Sequence, residues 1–181
     1  RKYNMCKDYL YYGSRLNGGM QEIMQVKRWN LMPIPDSLSD ISASLIEPIS
    51  VCVHASKKIK TKSKVLILGG GFLSQILSQL LIGKNCQIYC FDRNSYKKKF
   101  FSNDVFFSDS ITYFEKLNFD TVIECCGGEG MLSKCIDLVK PRGTVIQMAN
   151  PANETFLDSK SISNFMRKEI KIIGTWNSEY R

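Results

Sequence analysis

From residue 65 onward, apolar positions come in short continuous runs, separated by glycine turns and by stretches of helical spacing. Val65-Leu66-Ile67-Leu68 is apolar at every position, as in a strand buried on both faces. Gly69-Gly70-Gly71 follows directly. Phe72, Ile76, Leu77 and Leu80 then recur at helical spacing until Gly83 stops the helix. Further strands are predicted at 87–91 (closing on Asp92), 105–107, 121–125, 144–148 and 170–174. Between them the pattern predicts a short helix around Tyr96, then helices over 110–117, 131–139 and 162–167. Six strands with five helical crossovers imply an α/β fold with a parallel, doubly wound sheet of Rossmann type. Its ligand crevice lies at the carboxyl ends of strands one and four.

The first 38 residues read differently. Gly13, Gly18, Gly19, Pro33 and Pro35 punctuate an irregular stretch with short β-like pieces at 22–26 and 31–34. Nothing there forms a core of its own, so residues 1–38 read as the edge of a larger domain and 39–181 as the nucleotide-binding unit. A helix is signalled from about Ser39, with Ile41, Leu45 and Ile46 on one face. It is expected to break at Glu47, because the residue before a proline is pushed out of the α region. Pro48 then opens a second helix through about Ala55. The break leaves the Glu47 carboxylate at a joint.

Composition narrows the classes. The 181 residues are 44% hydrophobic, enough for a real core, and no run approaches the length of a membrane span. Neither a membrane nor a nucleic-acid partner is expected. The net charge is +8, but its densest clusters, Lys57-Lys58-Lys60-Lys62-Lys64 and Lys97-Lys98-Lys99, border strand and helix ends and read as solvated surface. Cys86, Cys90, Cys125, Cys126 and Cys135 sit in or beside apolar runs and read as reduced core residues of a cytoplasmic protein. Arg1-Lys2-Tyr3-Asn4 has no secretory character, and the chain starts without Met, so it reads as a mature piece, an expressed portion or a fragment.

Three features carry candidate chemistry. In Gly69-Gly70-Gly71-Phe72-Leu73-Ser74, Gly69 tolerates the backbone of a tight strand-to-helix turn and Gly71 lets a pyrophosphate approach. The helix start, with Phe72 and Leu73, offers free N–H groups and a positive dipole end. A dinucleotide fingerprint wants Gly or Ala where Ser74 stands. Asp92 follows about 20 residues on, at the end of strand two, where a carboxylate accepts the adenosine ribose hydroxyls; it favours NAD over NADP, and the adjacent Arg93 blurs that preference. Glu124-Cys125-Cys126-Gly127-Gly128 ends strand four with small residues against which a flat ring can lie, and Met148 closes strand five beside it. Each also has a plainer reading: a glycine turn, a helix cap and a strand-ending turn.

In order and spacing these segments resemble the zinc-dependent medium-chain alcohol dehydrogenases, polyol branch: sorbitol, galactitol-1-phosphate and ribitol-5-phosphate dehydrogenases. Ile46-Glu47-Pro48-Ile49-Ser50-Val51 precedes the glycine turn, Val122-Ile123-Glu124-Cys125-Cys126-Gly127 follows it, and Arg167-Lys168-Glu169-Ile170 with Gly174-Thr175-Trp176 comes last. Gly13-Ser14-Arg15 with Gly18-Gly19-Met20-Gln21-Glu22 looks like the segment leading back into a GroES-like catalytic domain. The resemblance implies hydride transfer between a nicotinamide cofactor and a polyol or polyol phosphate, assisted by zinc in an intact enzyme. It implies that Glu47 binds the catalytic zinc or its water, that Cys6 matches the fourth cysteine of a structural zinc lobe, and that relatives pair as homo-oligomers through strand six. The family's catalytic Cys and His-Glu pair have no counterpart, and the end at Tyr180-Arg181 falls short of its closing segment, so an internal fragment without turnover of its own is expected. Arg15 could meet a substrate phosphate or lie on the surface, and the lone His54 reads as structural. Two other classes stay open: a Rossmann-fold methyltransferase and a non-catalytic nucleotide-binding module.

Overall fold

A computed structural model describes residues 5–178. The chain ends at Arg1 and Tyr180–Arg181 that entered the sequence reading lie outside them.

Six strands form one parallel sheet in the order β3-β2-β1-β4-β5-β6. They are β1 (Lys64–Leu68), β2 (Gln87–Phe91), β3 (Val105–Ser108), β4 (Phe119–Glu124), β5 (Val139–Gln147) and β6 (Lys171–Gly174). The order reverses between β1 and β4, the switch point of a doubly wound sheet. Here Leu68 lies opposite Glu124, so the glycine turn and the strand-four turn leave the sheet side by side.

Five α-helices accompany the strands: α1 (Asp40–Ala43), α2 (Ile46–Ser56), α3 (Phe72–Ile82), α4 (Met131–Leu138) and α5 (Ser159–Arg167). Each face of the sheet buries its own cluster. Ile67, Ile123 and Ile146 pack with Cys52 and Ala55 of α2 and Leu77 and Leu81 of α3. Leu66, Leu68, Val122 and Val145 pack with Phe114, Phe119 and Ile136 of α4. Val65 through Leu68 are all fully buried, which is why β1 is apolar at every position. Each such side chain contributes roughly 1.5–3 kcal/mol of burial.

Several expectations need correction. Two of the five crossovers are not α-helical: Ser95–Phe100 and Ile111–Phe114 are single 3-10 segments. The first is a basic hexapeptide with no buried residue, and the second buries only Phe114, so neither has an apolar face to sustain a longer helix. The break near Pro48 falls at Ser44 and Leu45, one turn earlier than expected, and Glu47 lies within the first turn of α2. Proline is tolerated there because first-turn N–H groups have no intrahelical acceptor to lose. Gly83 does cap α3, but in a right-handed conformation; Asn85 takes the positive φ, at 54°. The helix expected to reach 139 ends at Leu138, and β5 runs from Val139 through Pro141 and Gly143, with Arg142 at φ 59°. The β-like pieces at 22–26 and 31–34 form no strand. Ile23 and Met32 lie exposed in irregular backbone, and Trp29 is exposed in a 3-10 turn, Arg28–Asn30.

Candidate cofactor cleft

The turn after β1 is built from three distinct glycine roles. Gly69 sits at φ +102°, where a side chain is strained, and a Cβ there would meet the Cys126 Cβ at 2.9 Å. Gly70 lies against Asp92, whose Cβ would be 3.1 Å from a Cβ at Gly70. Gly71 caps α3 in extended backbone and has open space beside it, so its approach side is free for a ligand. Phe72 is exposed at the helix start. Leu73 is half-buried behind it, its carbonyl accepting the Cys52 thiol at 3.3 Å. Ser74 is buried, and its Oγ donates to the Gly69 carbonyl at 2.5 Å. The hydroxyl that departs from the Gly-or-Ala rule thus ties the helix back to its own turn.

Asp92 joins this unit. Its Oδ2 accepts the backbone N–H of Gly70 at 2.8 Å, and Oδ1 accepts the N–H of Asn94 at 2.9 Å. Lys97 reaches Oδ2 at 2.6 Å. Burial alone would raise the Asp92 pKa, but the Lys97 bond and the two backbone donors outweigh it and hold the carboxyl below its ordinary range. Arg93 beside it points into solvent. Sequence reasoning missed Lys97, assigning it with Lys98 and Lys99 to the solvated surface. Its distance of five residues from Asp92 within a basic run was the available signal.

At the end of β4, Cys125 is half-buried, and its thiol lies 3.8 Å from the Met148 sulfur. Cys126 is exposed rather than part of the core, because it sits in the turn beyond the strand, over Gly69. Burial of the sulfur and a hydrogen bond to Glu124 push its thiol up to about 11. Glu124, also missed as a structural element, is 1% exposed and accepts the N–H groups of Cys126 and Gly127, each at 2.8 Å. Gly69, Gly71, Phe72, Leu73, Asp92, Cys125, Cys126 and Met148 therefore border one another along the carboxyl edge of the sheet. A cavity of about 550 Å³ continues this edge past β5 and β6, lined by Gln147, Met148, Thr175 and Trp176, with His54 and Lys58 of α2.

The metal candidates are not gathered in the same way. Glu47 is exposed in the first turn of α2, where its carbonyl accepts the Ser50 hydroxyl at 2.6 Å. Cys6 is exposed and free. Among the described residues no group of three His, Cys, Asp or Glu side chains could hold a metal ion.

No family model matches the chain. Ribulose-5-phosphate reductase 1 of Staphylococcus aureus is 32% identical over 154 residues, covering 78% of this chain and 45% of that protein. The chain is a relative of the polyol-type medium-chain dehydrogenases. Galactitol-1-phosphate dehydrogenase from Escherichia coli superposes with a TM-score of 0.86 at 24% identity, over 97% of this chain and 55% of that one. Staphylococcus aureus TarJ in complex with NADPH superposes at 0.65 with 29% identity, over 81% and 49%. This polyol-dehydrogenase relative spans about half the length of the curated relatives it matches. No helix of its described residues is long and apolar enough to cross a membrane.

Proposed function

We propose that this chain is the NAD(P)-binding part of an oxidoreductase that moves a hydride between a nicotinamide cofactor and a polyol or polyol phosphate. The observation that carries the reading is the bond from the Gly70 N–H to Asp92 Oδ2, which welds a phosphate-sized turn to a ribose-seeking carboxylate. Gly69 and Gly71 shape the pyrophosphate seat, and the α3 N-terminus offers it N–H groups. Phe72 and Leu73 flank that seat. Asp92 and Arg93 face the adenosine end, while Cys125, Cys126 and Met148 face the nicotinamide end. The sugar-phosphate substrate is supported by the names of the relatives, ribulose-5-phosphate and galactitol-1-phosphate enzymes.

Residues 1–38 fit the closing part of a GroES-like catalytic domain and 39–181 the nucleotide domain. Zinc, when bound in an intact enzyme, polarises the substrate alcohol. The described residues do not by themselves make its site. Glu47 is the one carboxylate we assign to the metal's neighbourhood, and Cys6 the one sulfur we assign to a structural zinc lobe. In an intact enzyme, Glu47→Ala lowers zinc occupancy or turnover; unchanged values for both remove the assignment. The β6 edge, with Ile172 exposed, supports pairing of two copies into a homo-oligomer. The described cysteines are all free, which fits a reducing cytoplasmic setting.

Titration of the chain with NADH, NADPH and S-adenosylmethionine tests the reading. Saturable binding of either dinucleotide supports it, and exclusive binding of S-adenosylmethionine overturns it.

A further inference from the structure

Cations that lie far apart in the sequence come together at the amino end of the sheet, opposite the cofactor cleft. The Lys62 N–H donates to the Lys84 carbonyl at 3.1 Å, and Lys84 Nζ donates to the Ser56 carbonyl at 2.7 Å, so the 57–63 loop is tied to the turn before β2. On the other side of β1, Asp120 Oδ2 accepts the Lys64 N–H at 2.7 Å, and Lys140 of β5 pairs with the same carboxylate. Burial alone would raise the Asp120 carboxyl, but Lys140, the Lys64 N–H and the nearby charge of Lys60 outweigh it and hold it below its ordinary range. Lys171 opens β6 opposite Thr144, and Arg142 stands just before that pair. Lys60, Lys62 and Lys171 are exposed, and no carboxylate among the described residues pairs with them.

Within 57–64 the one large apolar side chain, Ile59, is turned into the core at 2% exposure. The loop therefore offers no ring on which a base could stack and no wedge that could enter a bilayer, so it meets a partner through charge alone. The cations run along the amino ends of the strands from β2 to β6, a front roughly 19 Å across at the usual strand spacing. A single nucleic-acid strand is tracked by a groove with stacking rings. A broad, ring-free front matches a plane of anionic headgroups, which lysine ammonium groups attract without fixed geometry. We propose that the amino end of the sheet is a docking surface for an anionic lipid bilayer, with Lys60 and Lys62 among its contacts. Docked this way, the chain keeps the cofactor edge, at the opposite end of the strands, facing away from the membrane.

The test is flotation of the chain with vesicles of phosphatidylcholine alone and of phosphatidylcholine mixed with phosphatidylglycerol, at about 50 mM and about 500 mM salt. Wild type is expected to float with the mixed vesicles at the lower salt, to be released at the higher, and to ignore phosphatidylcholine at both. Lys60→Glu/Lys62→Glu is expected to lower partitioning onto the mixed vesicles by at least about tenfold. Lys98→Glu/Lys99→Glu changes the net charge by the same amount beside the cofactor cleft, and is expected to stay within about twofold of wild type. Cooperative urea unfolding reports that each variant is folded. Failure of wild type to float with the mixed vesicles, equal flotation with phosphatidylcholine, or an equal loss in the two variants overturns the inference. So does tighter binding of wild type to duplex DNA than to the mixed vesicles in the same buffer, which would make the surface a nucleic-acid contact. If Lys60→Glu/Lys62→Glu does not unfold cooperatively, Lys60→Gln/Lys62→Gln decides: a loss of at least about threefold supports the inference, and a smaller one overturns it.

Discussion

Gly70 lies in the turn after β1 and Asp92 just beyond the end of β2, yet the backbone N–H of Gly70 donates to Asp92 Oδ2 at 2.8 Å. The glycine turn and the acidic residue are therefore one rigid unit rather than two motifs that happen to face a ligand. This decides how substitutions at either residue should be read, because each disturbs the other.

Asp92→Asn tests the unit by pH. The folded carboxyl titrates below its unfolded value of about 3.9, so its contribution to stability is complete above that pH and lost as pH falls below it. Acid-unfolding curves are expected to lose part of their steepness below about pH 4 in Asp92→Asn. NADH affinity is expected to fall by about tenfold in the same variant, through loss of a charge-assisted acceptor.

Lys97 is expected to set the balance between the two dinucleotides. By pairing with Asp92 it offsets the negative charge that would repel a 2′-phosphate. Wild type is expected to bind both NADH and NADPH. Lys97→Met should weaken NADPH more than NADH, read as the ratio of the two dissociation constants; an unchanged ratio would show that Lys97 does not face the 2′ position.

Ser74→Ala places the family's usual small residue at this position, and the expected outcome is a loss. The Ser74 hydroxyl is buried against the Gly69 carbonyl, so alanine leaves that acceptor without its side-chain donor. A destabilisation of about 1 kcal/mol is expected by urea denaturation. A neutral or stabilising effect would mean that the bond contributes nothing net.

Cys126 is exposed but its thiol is held up near 11, so little thiolate forms at neutral pH. Alkylation by iodoacetamide at pH 7.5 should be slow at Cys126, quicken as pH rises toward 11, and be slowed further by bound NADH, as read by mass spectrometry of the modified peptide. Fast modification at pH 7.5 would contradict the assigned environment.

Much of the sheet was legible because its strands are buried on both faces and therefore apolar without interruption, as Val65–Leu68 shows. The crossovers were less so, since 95–100 and 111–114 have residues that tolerate a helix but no buried face to hold one. The cleft residues on the glycine turn and at Asp92 could be found from spacing along the chain. The partners that fix them could not: Lys97 looked like one of three surface lysines, and the Glu124–Gln147 bond joins β4 to β5 across 23 residues, a tertiary contact with no local periodicity. Within 5–38 the apolar residues suggested strands, yet Ile23 and Met32 lie exposed, so alternation there did not report a sheet partner.

The central claim is that the Gly69–Gly71 turn and Asp92 seat a nicotinamide dinucleotide. Trp176 lines the adjoining cavity and can report NADH by energy transfer. The most direct measurement is an NADH titration of wild type beside Gly69→Ala, whose Cβ would be forced to φ +102° and against Cys126. The expected result is saturable binding by wild type and a loss of at least about tenfold in a Gly69→Ala protein that still unfolds cooperatively. Absence of binding by wild type, or equal affinity in the two proteins, would contradict the claim.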